Sequence, residues 1–137
     1  MRSCLISEAV PEAGGLDAWI RDGRRDLASL ADYVRRLHEH HFIHHDLFWR
    51  NILVSGHRYY LIDAHKGGYR RGSVAQDLAT LDAPAPWFFR RAERLRFFLR
   101  YRDHPRLTAA DKKLLRRVLR LAEPLRAKQL ARVRGDR

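Results

Sequence analysis

The chain has 137 residues and a net charge of +12, with 45% apolar and 32% charged residues. This length predicts one domain, and the three tryptophans, five tyrosines and six phenylalanines favour a packed core over disorder. The single cysteine, Cys4, excludes a disulfide framework and a four-cysteine zinc site, and no apolar run reaches the length of a membrane span. The N-terminus lacks the pattern of a signal peptide, so a cytoplasmic protein is expected.

The positive charge is concentrated in the last third of the chain. Residues 1–89 contain 11 Lys or Arg and 11 Asp or Glu, whereas residues 90–137 contain 17 and 5. A field of this sign attracts phosphates, nucleic acids or acidic lipid headgroups. The alternative interpretation is a set of solvated faces on long basic helices, and the pattern alone does not decide between the two.

The N-terminal part predicts a strand at 3–10 and a turn at 11–15, where a proline and two glycines break the pattern. A short helix is predicted at 16–23. A second helix is predicted at 26–42, because apolar residues recur at helical spacing after Asp26, which is a suitable N-cap.

A polar loop at 44–51 leads into a predicted β-hairpin. Its strands are 52–54 and 59–62, and the second strand stops at Asp63. A basic loop with three glycines follows at 64–73.

The rest of the chain is predicted to be helical. The expected helices lie at 73–81, 87–102 and 108–133. Ser73 is a suitable N-cap, Thr108 and Asp111 form the pattern of a capping box, and Pro124 is expected to kink or split the last helix. The predicted fold class is therefore mainly α with a small β-hairpin (α+β).

Three polar side chains lie at one end of the predicted hairpin. Asp46 and Asn51 are on the loop that enters its first strand, and Asp63 ends its second strand. Phosphoryl transfer needs such a set, because Mg²⁺ on the nucleotide prefers oxygen ligands. A further carboxylate must then receive the proton of the acceptor hydroxyl.

The segment from His44 to Val54 resembles the catalytic loop of the protein-kinase-like superfamily. The matching pattern is His44-x-Asp46-Leu47-x-x-x-Asn51, with His45 where most protein kinases have arginine. Asp63 resembles the metal-binding aspartate that ends the following strand, although Ala64-His65 replaces the usual Phe-Gly.

Within that superfamily the sequence most resembles the lipopolysaccharide kinase family, which includes the Kdo and core-heptose kinases. The supporting motifs are Ser7-Glu8-Ala9-Val10 before Gly14-Gly15-Leu16, Asn-Ile-Leu-Val from Asn51, Leu-Ile-Asp-x-His-Lys from Leu61, and Gln76-Asp77-Leu78-Ala79. Members of this family phosphorylate sugars of the lipopolysaccharide inner core on the cytoplasmic side of the inner membrane.

The resemblance implies a role for each matching residue. The implied roles are base catalysis by Asp46, metal binding by Asn51 and Asp63, adenine binding by the backbone around Glu8 and Val10, and support of the site by His44 and Asp77. The implied cofactors are ATP and Mg²⁺.

The resemblance also implies a protein-kinase-like C-terminal lobe with the N-terminal lobe absent. Residues 1–137 then form one unit, in which 3–10 is the hinge strand, 44–63 the catalytic loop and metal-binding hairpin, and 87–137 a basic helical region. No Gly-x-Gly-x-x-Gly or phosphate-loop motif occurs in the sequence, so the activity of this chain alone stays open.

The expected function is ATP-dependent phosphorylation of a sugar hydroxyl on Kdo or heptose of the lipopolysaccharide inner core. Two alternatives stay open: a catalytically silent module that binds anionic lipid or nucleic acid through its basic helices, and a kinase of proteins or small molecules. The expected partners are the acceptor sugar and an anionic surface at the inner face of the inner membrane, rather than nucleic acid. The oligomeric state is not predicted.

Several side chains near the loop carry two interpretations. Phe48 and Trp49 can stack on an acceptor sugar or pack in the core, and the core is favoured for one of the two. Lys66, Arg70 and Arg71 either bind an acidic acceptor or belong to a solvated loop. The five histidines between positions 38 and 45 fit no common zinc pattern.

Overall fold

The structure is a computed structural model that describes residues 14–56, 58–63 and 73–135. In these ranges the chain is mainly helical and has one three-stranded antiparallel sheet in the order β1-β2-β3. The strands are β1 (Gly14–Gly15), β2 (Ile52–Ser55) and β3 (Arg58–Leu61). The helices are α1 (Leu16–Arg21), α2 (Ala28–Glu39), α3 (Val74–Asp82), α4 (Arg91–Arg102) and α5 (Ala109–Gly135).

The predicted hairpin is confirmed, and a third strand joins it. Ile52 lies opposite Leu61 across β2 and β3, and both side chains are fully buried. The turn predicted at 11–15 is wrong at its end, because Gly15 pairs with Leu53 on the other side of β2. A two-residue strand is too short to give an alternating pattern, so the sequence did not predict it. The strand predicted at 3–10 lies outside the described residues.

Helix α2 ends three residues earlier than predicted, and its C-terminus shows why. His41 adopts a left-handed backbone conformation with a φ of 63°. The N–H of His41 then donates to the carbonyl of His38 at 2.9 Å, and the N–H of Phe42 donates to the carbonyl of Leu37 at 3.0 Å. These two bonds form a Schellman motif, which ends a helix while keeping the following apolar residue against it. Phe42 is accordingly buried although it lies outside the helix.

The predicted helix cap at Thr108 is confirmed, and the predicted capping bond of Ser73 is wrong. The N–H of Thr108 donates to Asp111 Oδ2 at 3.0 Å, and the N–H of Asp111 donates to Thr108 Oγ1 at 3.1 Å. This pair is the predicted capping box. Ser73 does occupy the N-cap position of α3, but its side chain makes no capping hydrogen bond. Pro124 does not split α5, which continues through it, because Pro124 lies on the exposed face of the helix, where water can satisfy the carbonyl it leaves unpaired.

The core lies between four helices. Helix α3 packs against α5, and α2 packs against α4. The central side chains are Leu30, Val34, Leu78, Phe98 and Val118. This packing holds the loop between α2 and β2 against α3.

One buried carboxylate joins the end of α4 to the start of α5. Asp111 has no exposed surface, and it accepts hydrogen bonds from Arg102 Nε at 2.6 Å and His104 Nδ1 at 2.7 Å. Burial raises the pKa of Asp111, but the hydrogen bonds from Thr108, Arg102 and His104 outweigh burial and hold that pKa well below its ordinary value. The carboxylate is therefore a charged, fully paired group inside the fold.

We expect Asp111→Ala to lower the free energy of unfolding in urea by about 2–3 kcal/mol, because it removes a capping box and charged hydrogen bonds while Arg102 and His104 remain partly hydrated. Glu123→Ala, an exposed carboxylate on the same helix, should change it by less than about 0.5 kcal/mol. Because the folded pKa is lowered, the stabilisation is complete above the unfolded pKa of about 3.9 and is lost as the pH falls further. Equal stability of Asp111→Ala and the parent protein at neutral pH would contradict this account.

Candidate active site

Asp46 and Asn51 lie in one tight turn between α2 and β2. The Asn51 side-chain amide Nδ2 donates to the backbone carbonyl of Asp46 at 2.8 Å, and the N–H of Phe48 donates to the same carbonyl at 2.8 Å. Asn51 is buried, whereas Asp46 is partly exposed. The turn thus fixes the amide of Asn51 and leaves the Asp46 carboxylate accessible at the surface.

Asp63 comes two residues after the end of β3, next to this turn. The N–H of Ile62 donates to the backbone carbonyl of Asn51 at 2.9 Å, so the chain next to Asp63 is one hydrogen bond from Asn51. Asp63 is exposed and has a left-handed φ of 58°, a conformation that aspartate tolerates better than most residues. The sheet therefore brings the backbone positions of Asn51 and Asp63 together at its end.

His44 connects the two halves of the site. Its ring is fully buried, and Nε2 lies 3.0 Å from the carbonyl of Ile62 while Nδ1 lies 3.1 Å from the N–H of Asp46. A carbonyl can only accept and a backbone N–H can only donate, so Nε2 carries the proton. One imidazole thus spans from the residue before Asp63 to the backbone of Asp46.

Asp77 on α3 holds the start of the loop. This carboxylate is 1% exposed, and its two oxygens accept the N–H groups of His44 and His45, each at 2.9 Å. His45 has a φ of 69°, a left-handed conformation that costs free energy for a residue other than glycine. The Asp77 bonds therefore hold a backbone conformation that the loop would not keep by itself.

The donor set at this end of the sheet fits a magnesium ion. Asn51 turns Nδ2 toward the Asp46 carbonyl, so Oδ1 is the atom that can bind a cation, and Asp63 supplies a carboxylate. Mg²⁺ in phosphotransfer sites takes one or two protein oxygens and fills its remaining positions with phosphate and water. In the described ranges no group of three His, Cys, Asp or Glu side chains is placed to hold a metal.

The two aromatic residues of the loop have different environments. Trp49 is buried, its Nε1 donates to the Leu81 carbonyl at 3.0 Å, and its ring lies 5.5 Å from that of Phe88. Phe48 is only partly buried, and the guanidinium of Arg50 lies over its ring at 4.4 Å. Trp49 is therefore the core residue of the pair, and Phe48 with Arg50 forms the accessible surface beside Asp46.

His38 and Tyr101 belong to the supporting network, and sequence reasoning missed both. Nε2 of His38 donates to Asp77 Oδ2 at 2.9 Å, and Nδ1 lies 2.6 Å from the hydroxyl of Tyr101. His38 follows the buried face of α2 through Val34 and Leu37, which is the signal that could have separated it from the other histidines. No local pattern marks Tyr101, because its contact spans 63 residues of sequence.

Some predicted residues cannot be placed. Glu8 and Val10, predicted near adenine, lie outside the described residues, as do Lys66, Arg70 and Arg71.

The outer face of α5 carries a row of four cations, which we call the basic stripe. Its members are Lys113, Arg116, Arg117 and Arg120, all exposed. Within the part of the chain that the structure describes, no acidic side chain forms a salt bridge with any of them. Among the same residues, no helix is long and apolar enough to cross a membrane.

Comparison with known proteins finds a matching family model and solved structures with a similar fold, one of which is described here. The model of the lipopolysaccharide kinase (Kdo/WaaP) family matches residues 1–118. A solved structure, WaaP in complex with acyl carrier protein, has a similar fold with a TM-score of 0.68 and 22% sequence identity. That match covers 85% of this chain and 58% of the matched chain. No curated protein matches at a significant level.

The two matches carry different weight. The structural similarity, at this identity, shows that the chain has part of the WaaP fold, and the chain spans 58% of the length of that relative. The family model covers most of the sequence, including the loop that bears Asp46 and Asn51. The protein therefore belongs to the lipopolysaccharide kinase (Kdo/WaaP) family.

Proposed function

We propose that the protein is the C-terminal lobe of a protein-kinase-like phosphotransferase that transfers phosphate from ATP to a sugar hydroxyl of the lipopolysaccharide inner core. The observation that carries this proposal is the turn in which Asn51 binds the Asp46 backbone beside the end of β3. Family membership supports the same chemistry.

Each of the three polar residues has a distinct role in this proposal. Asp46 receives the proton of the acceptor hydroxyl as the hydroxyl oxygen bonds to the γ-phosphorus of ATP. The bond from that phosphorus to the β–γ bridging oxygen breaks, and ADP leaves. Asn51 Oδ1 and the Asp63 carboxylate hold Mg²⁺, which when bound neutralises charge on the phosphates. His44 and Asp77 keep the loop in place through its backbone.

The surface beside Asp46 suits an anionic sugar. The ring of Phe48 offers an apolar face, and Arg50 above it offers a cation. Arg50 is exposed and has no salt bridge with any residue in the described ranges. A sugar with a carboxylate or phosphate group can therefore place that group on the guanidinium.

We expect Asp46→Asn to reduce phosphate transfer from ATP to lipopolysaccharide core acceptors by at least about 100-fold, the usual contribution of a general base. The measurement is incorporation of labelled γ-phosphate at saturating Mg²⁺. Asp22→Asn, a change at an exposed carboxylate next to α1, is the matched control and should leave the rate unchanged. Full activity of Asp46→Asn would overturn the assignment of the base.

We further propose that the basic stripe of α5 contacts the anionic surface of the membrane that holds the acceptor. Like charges at i, i+3 and i, i+4 destabilise a helix, and among these four cations Arg120 alone has an acidic residue of α5 at such a spacing, Glu123. Binding to acidic headgroups relieves the repulsion between the cations. The helix keeps its apolar side on α3 through Val118 and Ala122, so the stripe points away from the core.

We expect the protein to bind phosphatidylglycerol vesicles at low salt and the variant Arg116→Glu, Arg117→Glu, Arg120→Glu to bind at least roughly 100-fold more weakly. This estimate takes about 1 kcal/mol for each cation at an anionic surface. Arg21→Glu, Arg36→Glu, Arg58→Glu makes the same change in net charge at exposed positions elsewhere and should bind nearly as well as the parent protein.

Competition with duplex DNA at matched salt separates the membrane from nucleic acid. A membrane surface is supported if vesicles displace DNA. Equal loss of vesicle binding in both triple variants would mean that only net charge matters, and the stripe would then not be a docking surface.

We also propose an acyl carrier protein as a partner, because the similar solved structure is a complex with one. This chain has an apolar cavity of about 380 Å³ between α2, α3, α4 and α5. Leu95 and Leu119 line it and remain 39% and 43% exposed, so the cavity is open at the surface. Arg91 lies at its wall, where it can meet the phosphate of the acyl-bearing arm.

We expect an acyl carrier protein that bears a long acyl chain to bind more tightly than the same protein without it. Ala92→Trp fills the cavity from α4 and should weaken binding by at least about tenfold, because about 0.8 kcal/mol is lost for each methylene left unburied. Ala127→Trp, at an exposed position of α5 away from the cavity, is the control. Equal affinities for the acylated and the non-acylated carrier protein, measured by calorimetry, would refute the role of the cavity.

A further inference from the structure

A buried chain of hydrogen bonds links α4 to the loop that carries Asp46. It begins at the Tyr101 hydroxyl, passes through the His38 ring to the Asp77 carboxylate, and ends at the backbone N–H groups of His44 and His45. The three side chains are 5%, 9% and 1% exposed. The rings of Tyr101 and His38 also meet edge to face, with centroids 5.5 Å apart. Four separate segments of the chain therefore meet in one network.

The chemistry of the donors and acceptors determines where the protons lie. Asp77 already accepts two backbone N–H groups, and a carboxylate can only accept, so His38 must present its Nε2 proton to Oδ2. In an imidazole that carries one proton, Nδ1 is then a lone pair that accepts from the Tyr101 hydroxyl, 2.6 Å away. Burial raises the pKa of Tyr101, so its hydroxyl keeps the proton that it donates.

The tautomer of His38 decides whether the loop is held. If the proton sat on Nδ1, Nε2 would face the Asp77 carboxylate with a lone pair, and the two would repel. Asp77 could then not keep both backbone bonds, and the left-handed conformation of His45 would lose its support. Because Asp46 directly follows His45, its position depends on the same contacts.

We propose that Tyr101 is a positioning residue for the Asp46 loop, whose hydroxyl fixes the Nε2–H tautomer of His38 and thereby the hold of Asp77 on the loop. The inference rests on the proposed function, since the loop is catalytic only if Asp46 acts as the base. The hydrogen-bond network itself does not depend on that function.

Tyr101→Phe tests this proposal, because it removes one hydroxyl and keeps the ring. In the parent protein, long-range ¹H–¹⁵N spectra of the histidines should show His38 protonated at Nε2 and accepting a hydrogen bond at Nδ1. In Tyr101→Phe the Nδ1 signal should shift, and the amides of His44 and His45 should exchange with D₂O about fivefold faster or more, the factor expected for one hydrogen bond.

Tyr33→Phe is the matched control. Tyr33 is a partly buried tyrosine on α2 whose ring is tilted against that of Tyr59 at a centroid distance of 5.3 Å, and it is not part of the network. It should leave both signals unchanged. Far-UV circular dichroism must show that each variant is folded as the parent is.

Two results would overturn the proposal: a parent His38 protonated at Nδ1, or amide exchange at His44 and His45 that Tyr101→Phe does not alter. Neither measurement uses nucleotide or acceptor. If Asp46→Asn kept full activity while Tyr101→Phe released the loop amides, the proposed function would fail and the positioning role would stand as a structural one.

Discussion

The structure of the candidate site depends on the burial of one carboxylate, Asp77. A buried carboxylate is costly unless hydrogen bonds compensate for its lost hydration. Here two backbone N–H groups and the His38 ring supply that compensation. Since the N–H groups belong to His44 and His45, satisfying the carboxylate also fixes the backbone that leads to Asp46. The hydrogen bonds that offset the cost of burying Asp77 therefore also hold the loop in place.

The second half of the site is placed by the sheet rather than by α3. The carbonyl of Asn51 accepts the N–H of Ile62, and His44 reaches the carbonyl of the same residue. Ile62 therefore donates a hydrogen bond to Asn51, at one end of the turn, and accepts one from His44, just before its other end. Its neighbour Asp63 cannot shift without straining one of these two bonds, which couples the position of Asp63 to that of Asp46.

Local patterns predicted the parts of this structure that depend on local chemistry. The Thr108–Asp111 capping box is confirmed, and so is the hairpin predicted at 52–54 and 59–62, which the structure shows as Ile52–Ser55 and Arg58–Leu61. Propensity, turn residues and burial agree there. The motif residues Asp46, Asn51 and Asp63 were predicted from their places around the hairpin and from the resemblance to the kinase catalytic loop, and their roles stay predictions. Contacts between distant segments left no such trace: the bond of Tyr101 to His38 and the pairing of Gly15 with Leu53 depend on tertiary packing. The end of α2 was misplaced because a histidine, rather than the usual glycine, takes the left-handed position.

The distribution of charge follows from the same packing. Acidic residues at the helix contacts pair with arginines: Asp32 with Arg100, Asp82 with Arg94 and Arg126, Asp111 with Arg102, and Glu93 on α4 with Arg25 before α2. Each exposed pair adds at most about 1 kcal/mol, so their main effect is to neutralise these arginines. The cations that remain unpaired in the described ranges include the basic stripe on the outer face of α5. These four exposed like charges on one face of one helix are the physical basis for expecting an anionic partner there.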